Sequence, residues 1–357
     1  VSVSFLPTTL FPELKGDIVS LLKVRAGYGT SANFPTGYPV AATLNLDTQS
    51  FKSGGNFVIS NSSGSVLGNP NLKPERIDEI EAGIEGRFFR SRMSLDFSIY
   101  SKKTNDLIID RPLDPSTGYT TTQTNIGLIE NKGIELDLSY DWIQNNDGLN
   151  WTTALNYSSN DAIVRDLGAD TDIIVYAGFG TLGNAAIVGE SLGTIIGSSV
   201  TRYNADVEDF RWTDSEKVVN NAGSYATTFT PSIIGDANPD WIANVSNSVS
   251  YKNFSFNFLF NFQVGGDIYS TTVATLLGRG LTTDTLDREL SFILPGVNSN
   301  GVQNAKMINN STFYFSNVLY GPDEMLVYDA SHWRLGEISL SYSLPKSLIE
   351  NTPFGNI

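Results

Sequence analysis

The side chains best equipped for chemistry in this chain are clustered acids, one imidazole and a scatter of aromatic rings. Asp206, Glu208 and Asp209 form one acidic group, and Asp284, Asp287 and Glu289 another. Neighbouring carboxylates can work as an acid–base pair or hold a hard cation. Neither group has the regular spacing of a calcium loop, and both read as solvated charge. His332 is the only histidine and cysteine is absent, so neither a multi-histidine nor a thiolate metal site can be assembled within the chain. No serine nucleophile context accompanies His332, which reads as a polar residue at a strand start. The segments Gly189-Glu190-Ser191-Leu192-Gly193 and Gly178-Phe179-Gly180 lack the strand-to-helix setting of a phosphate cradle and read as loop bends. The expectation is therefore no catalytic residue, no metal, no cofactor and no enzyme activity. Tyr203, Phe210, Trp212, Tyr225 and Tyr320 offer another chemistry. Rings in long, non-periodic segments either stack on a sugar or a peptide side chain or pack within their own loops, and these five are the candidate substrate-contacting residues.

The elements that would position such residues alternate at period two. From Met93 the chain runs Met93, Leu95, Phe97, Ile99 against Ser94, Asp96, Ser98, Tyr100, one apolar face and one mostly polar face. Gly133 to Ile143 repeats this, with Ile134, Leu136, Leu138, Tyr140 and Trp142 against Glu135, Asp137, Ser139 and Asp141. Most regular of all, Phe254, Phe256, Phe258, Phe260 and Phe262 alternate with Ser255, Asn257, Leu259 and Asn261. Such a strand is an aggregation hazard on a free edge, and closure into a barrel removes it. In that reading the five phenylalanines face lipid and the polar set faces the lumen. A β-sandwich core is the competing reading of the same alternation.

Composition excludes less than the pattern does. With 357 residues, 40% hydrophobic content and a mean hydropathy of −0.11, the chain has no run of about 18 apolar residues, so no transmembrane helix is expected. Barrel strands need only about 9–11 residues, half of them polar, and escape that criterion. A net charge of −15 disfavours nucleic acid as a partner.

Connections are alternately short and long. Tight turns are expected at Phe89 to Arg92, at Asn145-Asn146-Asp147-Gly148 and at Lys252-Asn253, and long loops near 29–75, 103–125, 159–240 and 263–330, the last with a helix around Thr271 to Leu290. Trp333 and Leu335 are out of phase with Ile338, Leu340, Tyr342 and Leu344, which predicts a bulge near Gly336. Short turns on one side and long loops on the other are the asymmetry of an outer-membrane barrel. Loops around Asn33, Asp206 and Asp284 are then extracellular, and the turns near Arg90, Asn146 and Asn253 periplasmic. The N-terminus shows no signal peptide and the C-terminus ends as a strand begins, so the chain reads as an internal piece.

Four motifs in order resemble the C-terminal barrel portion of the SusC/RagA family of TonB-dependent outer-membrane transporters. They are Asn69-Pro70-Asn71-Leu72-Lys73-Pro74-Glu75, Asn131-Lys132-Gly133-Ile134-Glu135-Leu136, Ile234-Gly235-Asp236-Ala237-Asn238-Pro239-Asp240-Trp241, and Ala330-Ser331-His332-Trp333-Arg334-Leu335. The resemblance covers most of the chain, from Leu22 on. It implies an all-β fold, an antiparallel transmembrane β-barrel of 22 strands with long extracellular loops, of which residues 1–357 supply about ten strands as a partial receptor barrel domain. The plug and the last strands have no counterpart. It also implies import of a glycan or peptide across the outer membrane of a Gram-negative bacterium, with a SusD-like surface lipoprotein, outer-membrane lipid and, through an N-terminal region outside these residues, the TonB complex as partners. Thr227 to Ser232 replaces an Asp/Gly-rich segment of many members, which puts a family-like ion site there in doubt. Two alternatives stay open: a non-transporting structural or binding barrel in a larger envelope assembly, and a soluble secreted β-sandwich that binds glycans.

Overall fold

The computed structural model describes every residue except 36–39, 43, 54–55, 146, 169–171, 180, 206–214 and 346–357. In chain order the elements begin with β1 (Ser2–Phe5), α1 (Pro7–Leu10), β2 (Val19–Asn33), the hairpin β3 (Leu44–Ser53) and β4 (Asn56–Ser63), and β5 (Val66–Leu67). Four long strands follow: β6 (Glu75–Phe88), β7 (Met93–Pro112), β8 (Thr121–Ile143) and β9 (Leu149–Asp166). Then come β10 (Ile173–Phe179), β11 (Leu182–Ile187), β12 (Thr194–Val200), β13 (Thr227–Asp236), β14 (Trp241–Tyr251) and β15 (Phe254–Val264). The chain ends with β16 (Asp267–Tyr269), α2 (Thr271–Gly278), β17 (Ser291–Ile293), β18 (Met307–Asn309), α3 (Asn310–Phe313), β19 (Val327–Asp329) and β20 (His332–Tyr342).

A meandering antiparallel wall runs β1-β2-β6-β7-β8-β9-β14-β15-β20, with β5 parallel to β8 at its margin. Every consecutive pair is joined at one end by a tight connection or at the other by an excursion, so register is set by the short turns and the two-faced pattern together. The β6–β7 turn puts Phe89, Arg90 and Ser91 at φ of 55°, 59° and 65°, and the β14–β15 turn puts Lys252 at 52°. Positive φ in these turns matches the twist of the flanking strands.

The strands reach further than their alternation suggests. β2 continues to Asn33, and the segment expected as a loop from 29 to 75 contains β3, β4 and β5 before β6 starts at Glu75. The 103–125 loop shrinks to 113–120, because β7 and β8 stay paired out to Pro112 and Thr121. The register is the same on both sides of Asp106, at φ 54°, where the ladder skips one residue on each strand between Asn105↔Leu128 and Leu107↔Ile126. Likewise β9 runs to Asp166, and 159–240 folds into the antiparallel sheet β10-β11-β12-β13. The helix expected over Thr271 to Leu290 stops at Gly278, where Gly280 takes φ +71°. The predicted bulge is present: Glu337 pairs with Leu259 and Leu335 with Phe260, leaving Gly336 unmatched.

Burial is concentrated away from the wall. Ala185, Ile187 and Ile196 form one cluster inside β10–β13, and Val200, Val219, Tyr225, Leu294 and Ile308 another that joins the first excursion to the second. Ile126, Ile129, Val164, Leu167, Ile174 and Ala186 seat the β10–β13 sheet on the ends of β7, β8 and β9. The two excursions thus form one lobe with its own core.

Candidate functional site

Three surfaces can carry function, the two faces of the wall and the lobe at its end. On the first face, one row of directly paired residues crosses the whole wall: Phe5, Val24, Ile84, Phe97, Leu136, Tyr157, Ala243, Phe262, Trp333. The adjacent row on the opposite face reads Lys23, Glu85, Asp96, Asp137, Asn156, Asn244, Asn261, Arg334. Nine strands therefore agree on which side is apolar. That side is left open: Trp333 is 72% exposed, Leu340 72%, Ile338 63% and Ile80 61%. A sandwich would have buried them under a second sheet, at a gain of about 1.5–3 kcal/mol each. Phe254, Phe256, Phe258, Phe260 and Phe262 lie on this face, with neighbouring ring centroids 5.5–6.3 Å apart from Phe256 onward.

The apolar band has borders of the right height. The 11 residues of β15, at about 3.4 Å per step and tilted by about 40°, rise about 26 Å, close to the apolar girdle of outer-membrane barrels at about 25 Å. At the turn end, Trp142, Trp151, Tyr251 and Tyr342 are all exposed. Two polar residues, Thr153 and Asn247, sit directly paired among them on the apolar face. Their reason is local: the Trp142 indole donates to Thr153 Oγ1 at 3.0 Å, while the Trp151 indole (3.0 Å) and the Thr153 hydroxyl (2.6 Å) both donate to Asn247 Oδ1. At the other end the face turns charged beyond Ile80, through the paired row Asp78, Lys103, Glu130.

The polar face places like charges opposite one another, Glu85 beside Asp96 and Asp96 beside Asp137, which is destabilising unless compensated. Lys23 Nζ binds Glu85 at 2.9 Å, and Arg25 holds Asp96 through two bonds of 2.8 and 3.0 Å and Glu81 through one of 3.2 Å. Asn156 Nδ2 donates to Asp137.

The family-like motifs sit mostly at junctions between wall and excursions. Glu75, 6% exposed, accepts from Ile108 N–H at 2.7 Å and from Asn33 Nδ2 at 2.9 Å. Lys73 N–H donates to Asn125 Oδ1 at 2.8 Å, and Asn125 Nδ2 donates to the Lys73 and Asp106 carbonyls at 2.9 and 2.7 Å. Asn69 to Glu75 thus locks the incoming strand onto β7 and β8. In the third motif Asp236 N–H donates to Asp267 Oδ2 at 2.9 Å and Asn238 Nδ2 to Ser191 Oγ at 2.9 Å. In the fourth, Ser331 Oγ accepts from Gly265 N–H at 2.8 Å, and His332 is the first residue of β20.

The lobe is latched by two acids. Asp323 Oδ2 accepts from Ser198 N–H and Oγ at 2.9 and 2.7 Å, and its Oδ1 accepts from Tyr269 Oη at 3.1 Å. Burial and that carboxylate push the Tyr269 phenol far above its usual range, so it stays a donor. Glu324 accepts from Val200 N–H at 2.8 Å and from Arg202 Nη2 at 2.7 Å.

The five candidate aromatics are not gathered in one place. Tyr225 is a core residue, 9% exposed, with its N–H bonded to the fully buried Asn317 at 2.7 Å and Lys217 Nζ 5.2 Å from its ring centroid. Tyr203 is half-buried against Gly301. Tyr320 is 64% exposed and stands edge-on to Phe315, centroids 5.0 Å apart. Phe210 and Trp212, with the acids Asp206, Glu208 and Asp209, lie outside the described residues. Asp284, Asp287 and Glu289 are exposed. Sequence reasoning missed Phe315, Arg279 and Arg288, which surround Tyr320 and a neighbouring cavity. Their separation along the chain carries no period that would have joined them.

The sequence model described as "TonB dependent receptor-like, beta-barrel" matches residues 12–195. The chain belongs to that family. It is 28% identical over 348 residues to TonB-dependent receptor P3 of Formosa agariphila, covering 94% of this chain and 33% of that protein. It is 22% identical over 336 residues to TonB-dependent receptor SusC of Bacteroides thetaiotaomicron, covering 92% and 32%. Among solved structures, the RagAB peptide importer in its closed-closed state shares the fold with a TM-score of 0.70 at 21% identity, over 99% of this chain and 38% of that one. The chain thus spans about a third of the length of these curated relatives. As in the RagAB importer, the fold is an antiparallel wall of strands, here part of a TonB-dependent receptor barrel.

Proposed function

We propose that the protein to which this chain belongs imports a glycan or peptide across the outer membrane of a Gram-negative bacterium, energised through the TonB complex, and that these residues form barrel wall and extracellular rim. The observation that carries this reading is the open apolar face, about 26 Å tall with aromatic and charged borders, backed by an opposite face of paired charges. Lipid covers the first face, including Phe254 to Phe262, and water fills the second. The lobe built from the two excursions stands at the charged border, beside the mouth. It is positioned to receive substrate and a SusD-like surface lipoprotein. Its exposed aromatic pair, Phe315 and Tyr320, suits stacking on a substrate ring. In this reading work enters through an N-terminal region outside these residues.

The test is uptake in the native bacterium. Labelled oligosaccharide and peptide mixtures are supplied to the parent, to a strain lacking the gene, and to one whose TonB is inactive. Uptake of one class should fall to background in both altered strains. Uptake that is unchanged without the gene would leave a structural barrel as the better reading.

A further inference from the structure

Helix α2 ends in a double closure. Gly280 N–H donates to the Leu277 carbonyl at 3.0 Å and Leu281 N–H to the Leu276 carbonyl at 2.8 Å, which turns the chain back on itself. The turn brings Arg279 and Arg288 to one cavity of about 240 Å³, whose walls include Thr285, Asn310, Ser311 and Tyr314. Arg279 Nη2 donates to Tyr320 Oη at 3.3 Å and Arg288 Nη2 to the Gly280 carbonyl at 3.0 Å. Each guanidinium carries five N–H donors, so most of them are left over. Among the described residues neither arginine forms an ion pair. In a chain of net charge −15, two uncompensated cations at one cavity stand out. The acids nearest in sequence, Asp284, Asp287 and Glu289, do not line it.

We infer that this cavity binds one acidic sugar unit of a carboxylate-bearing glycan, an inference that rests on the import function proposed above. A guanidinium matches a carboxylate through two parallel hydrogen bonds, which a lysine cannot reproduce. The volume is below the roughly 300–1,000 Å³ of a pocket that encloses a whole ligand, so it takes one unit of a longer chain. Its walls suit a sugar better than a peptide. The Ser311 and Tyr314 hydroxyls make no hydrogen bond among the described residues and are available to ring hydroxyls. Tyr320, held by Arg279, offers a ring for the next unit to stack on. A peptide would ask for a free strand edge or an apolar side-chain slot, and the cavity is framed by helix ends and polar groups.

The full-length receptor in detergent is titrated calorimetrically with tetrasaccharides of galacturonate, glucuronate and mannuronate, with their carboxyl-reduced counterparts, and with tetra-aspartate. At least one uronate should bind, its reduced counterpart should not, and added salt should weaken binding. Arg279→Gln should weaken it about tenfold or more, the loss expected for a charge-assisted contact, with Arg279→Lys recovering only part. Arg288→Gln should act in the same direction, but it also removes a bond to Gly280 in the turn after α2, so Arg279→Gln decides the case. The inference fails if no uronate binds, if the neutral sugars bind equally, if Arg279→Gln changes nothing, or if tetra-aspartate binds in place of the uronates. Cells keep the two readings apart. Normal uptake of the uronate glycan by Arg279→Gln cells, with none in the deletion strain, sinks the subsite alone, whereas uptake that survives deletion sinks the import function.

Discussion

Single residues in this wall make sense once their partners are known, and Asn247 is the clearest case. By hydropathy it is misplaced on an apolar face, yet it accepts from both the Trp151 indole and the Thr153 hydroxyl. Asn247→Leu would raise apolar area while stranding two donors at the edge of a lipid environment, and each unpaired donor costs about 1–3 kcal/mol. We therefore expect the full-length receptor carrying Asn247→Leu to be less stable than the parent in bilayers, as read by its denaturant midpoint, with Trp151→Phe in the same protein recovering part of the loss. A more stable leucine variant would mean that burial alone governs this face. Non-local partners also explain where single-residue reading stopped. Tyr225 looks like any other loop aromatic, and its core role depends on Asn317, 92 positions further on. Tyr269 is likewise ordinary until Asp323 and burial raise its phenol. The sign of that shift places its stabilising effect below the usual tyrosine range of about 10, to be lost as pH rises from there through the folded value. Tyr269→Phe should flatten the alkaline decline of lobe stability measured by hydrogen exchange in β12; an unchanged decline would mean that other groups set it.

At the level of strands, alternation revealed facing and concealed extent. A side-chain period of two shows in any six residues, whereas the end of a ladder depends on what the neighbour offers. β7 and β8 stay paired past Lys103 in one register as far as Pro112 and Thr121, across the interruption at Asp106, which nothing in the local pattern announces. The bulge at Gly336 was legible for the opposite reason, since two apolar sets, Trp333 with Leu335 and Ile338 with Leu340, are out of step within one strand. Pairing of Leu335 with Phe260 and Ile338 with Phe258 puts both sets on one face. Deleting Gly336 would set Leu335 directly before Glu337, opposite Phe260 and Leu259 as now, and so give an unbroken ladder with Trp333, Leu335, Ile338 and Leu340 still on the apolar face. Assembly of the full receptor in bilayers should therefore survive the deletion, and a sharp loss would mean that the local bend and twist of the bulge are themselves required. Facing itself is tested on β15. A charge at the midplane of a lipid face costs about 2–4 kcal/mol, so Phe258→Arg should impair assembly far more than Asn257→Arg. Equal effects would remove lipid from that side.

For the molecule as a whole, burial is inverted relative to a soluble domain: the regular wall leaves its apolar rows open, and the irregular excursions hold the enclosed core. That is why the excursions read as loops. Their apolar residues meet across more than a hundred positions, as when Val200 and Ile308 share one cluster, and so display no period. The asymmetry also sets membrane topology, which the cysteine-free background makes simple to read. Single cysteines at Asn33 or Asp284 should react with an impermeant thiol reagent in intact cells, and those at Arg90 or Asn253 only after the outer membrane is opened; the reverse pattern would invert the barrel. Within the lobe, framework and working surface are separable. Arg202 pairs with Lys217 as an isolated bridge, and Tyr203 N–H donates to the Glu216 carbonyl at 2.9 Å. These contacts close the neck from which residues 206–214 depart, while Val200, Val219 and Tyr225 lie on the core side of it. Joining Ala205 to Ser215 through a two-residue Asn-Gly turn should therefore spare hydrogen-exchange protection in β12, because the neck register and the Asp323–Ser198 latch remain. If this segment receives substrate or a surface lipoprotein, the same excision should abolish uptake or lipoprotein co-purification at matched surface level. Asp323→Asn with Glu324→Gln should do the converse, loosening β12 first and reducing function only as far as the lobe opens. An excision that costs neither uptake nor capture would leave the segment without a part in import and return attention to the exposed Tyr320 side of the lobe.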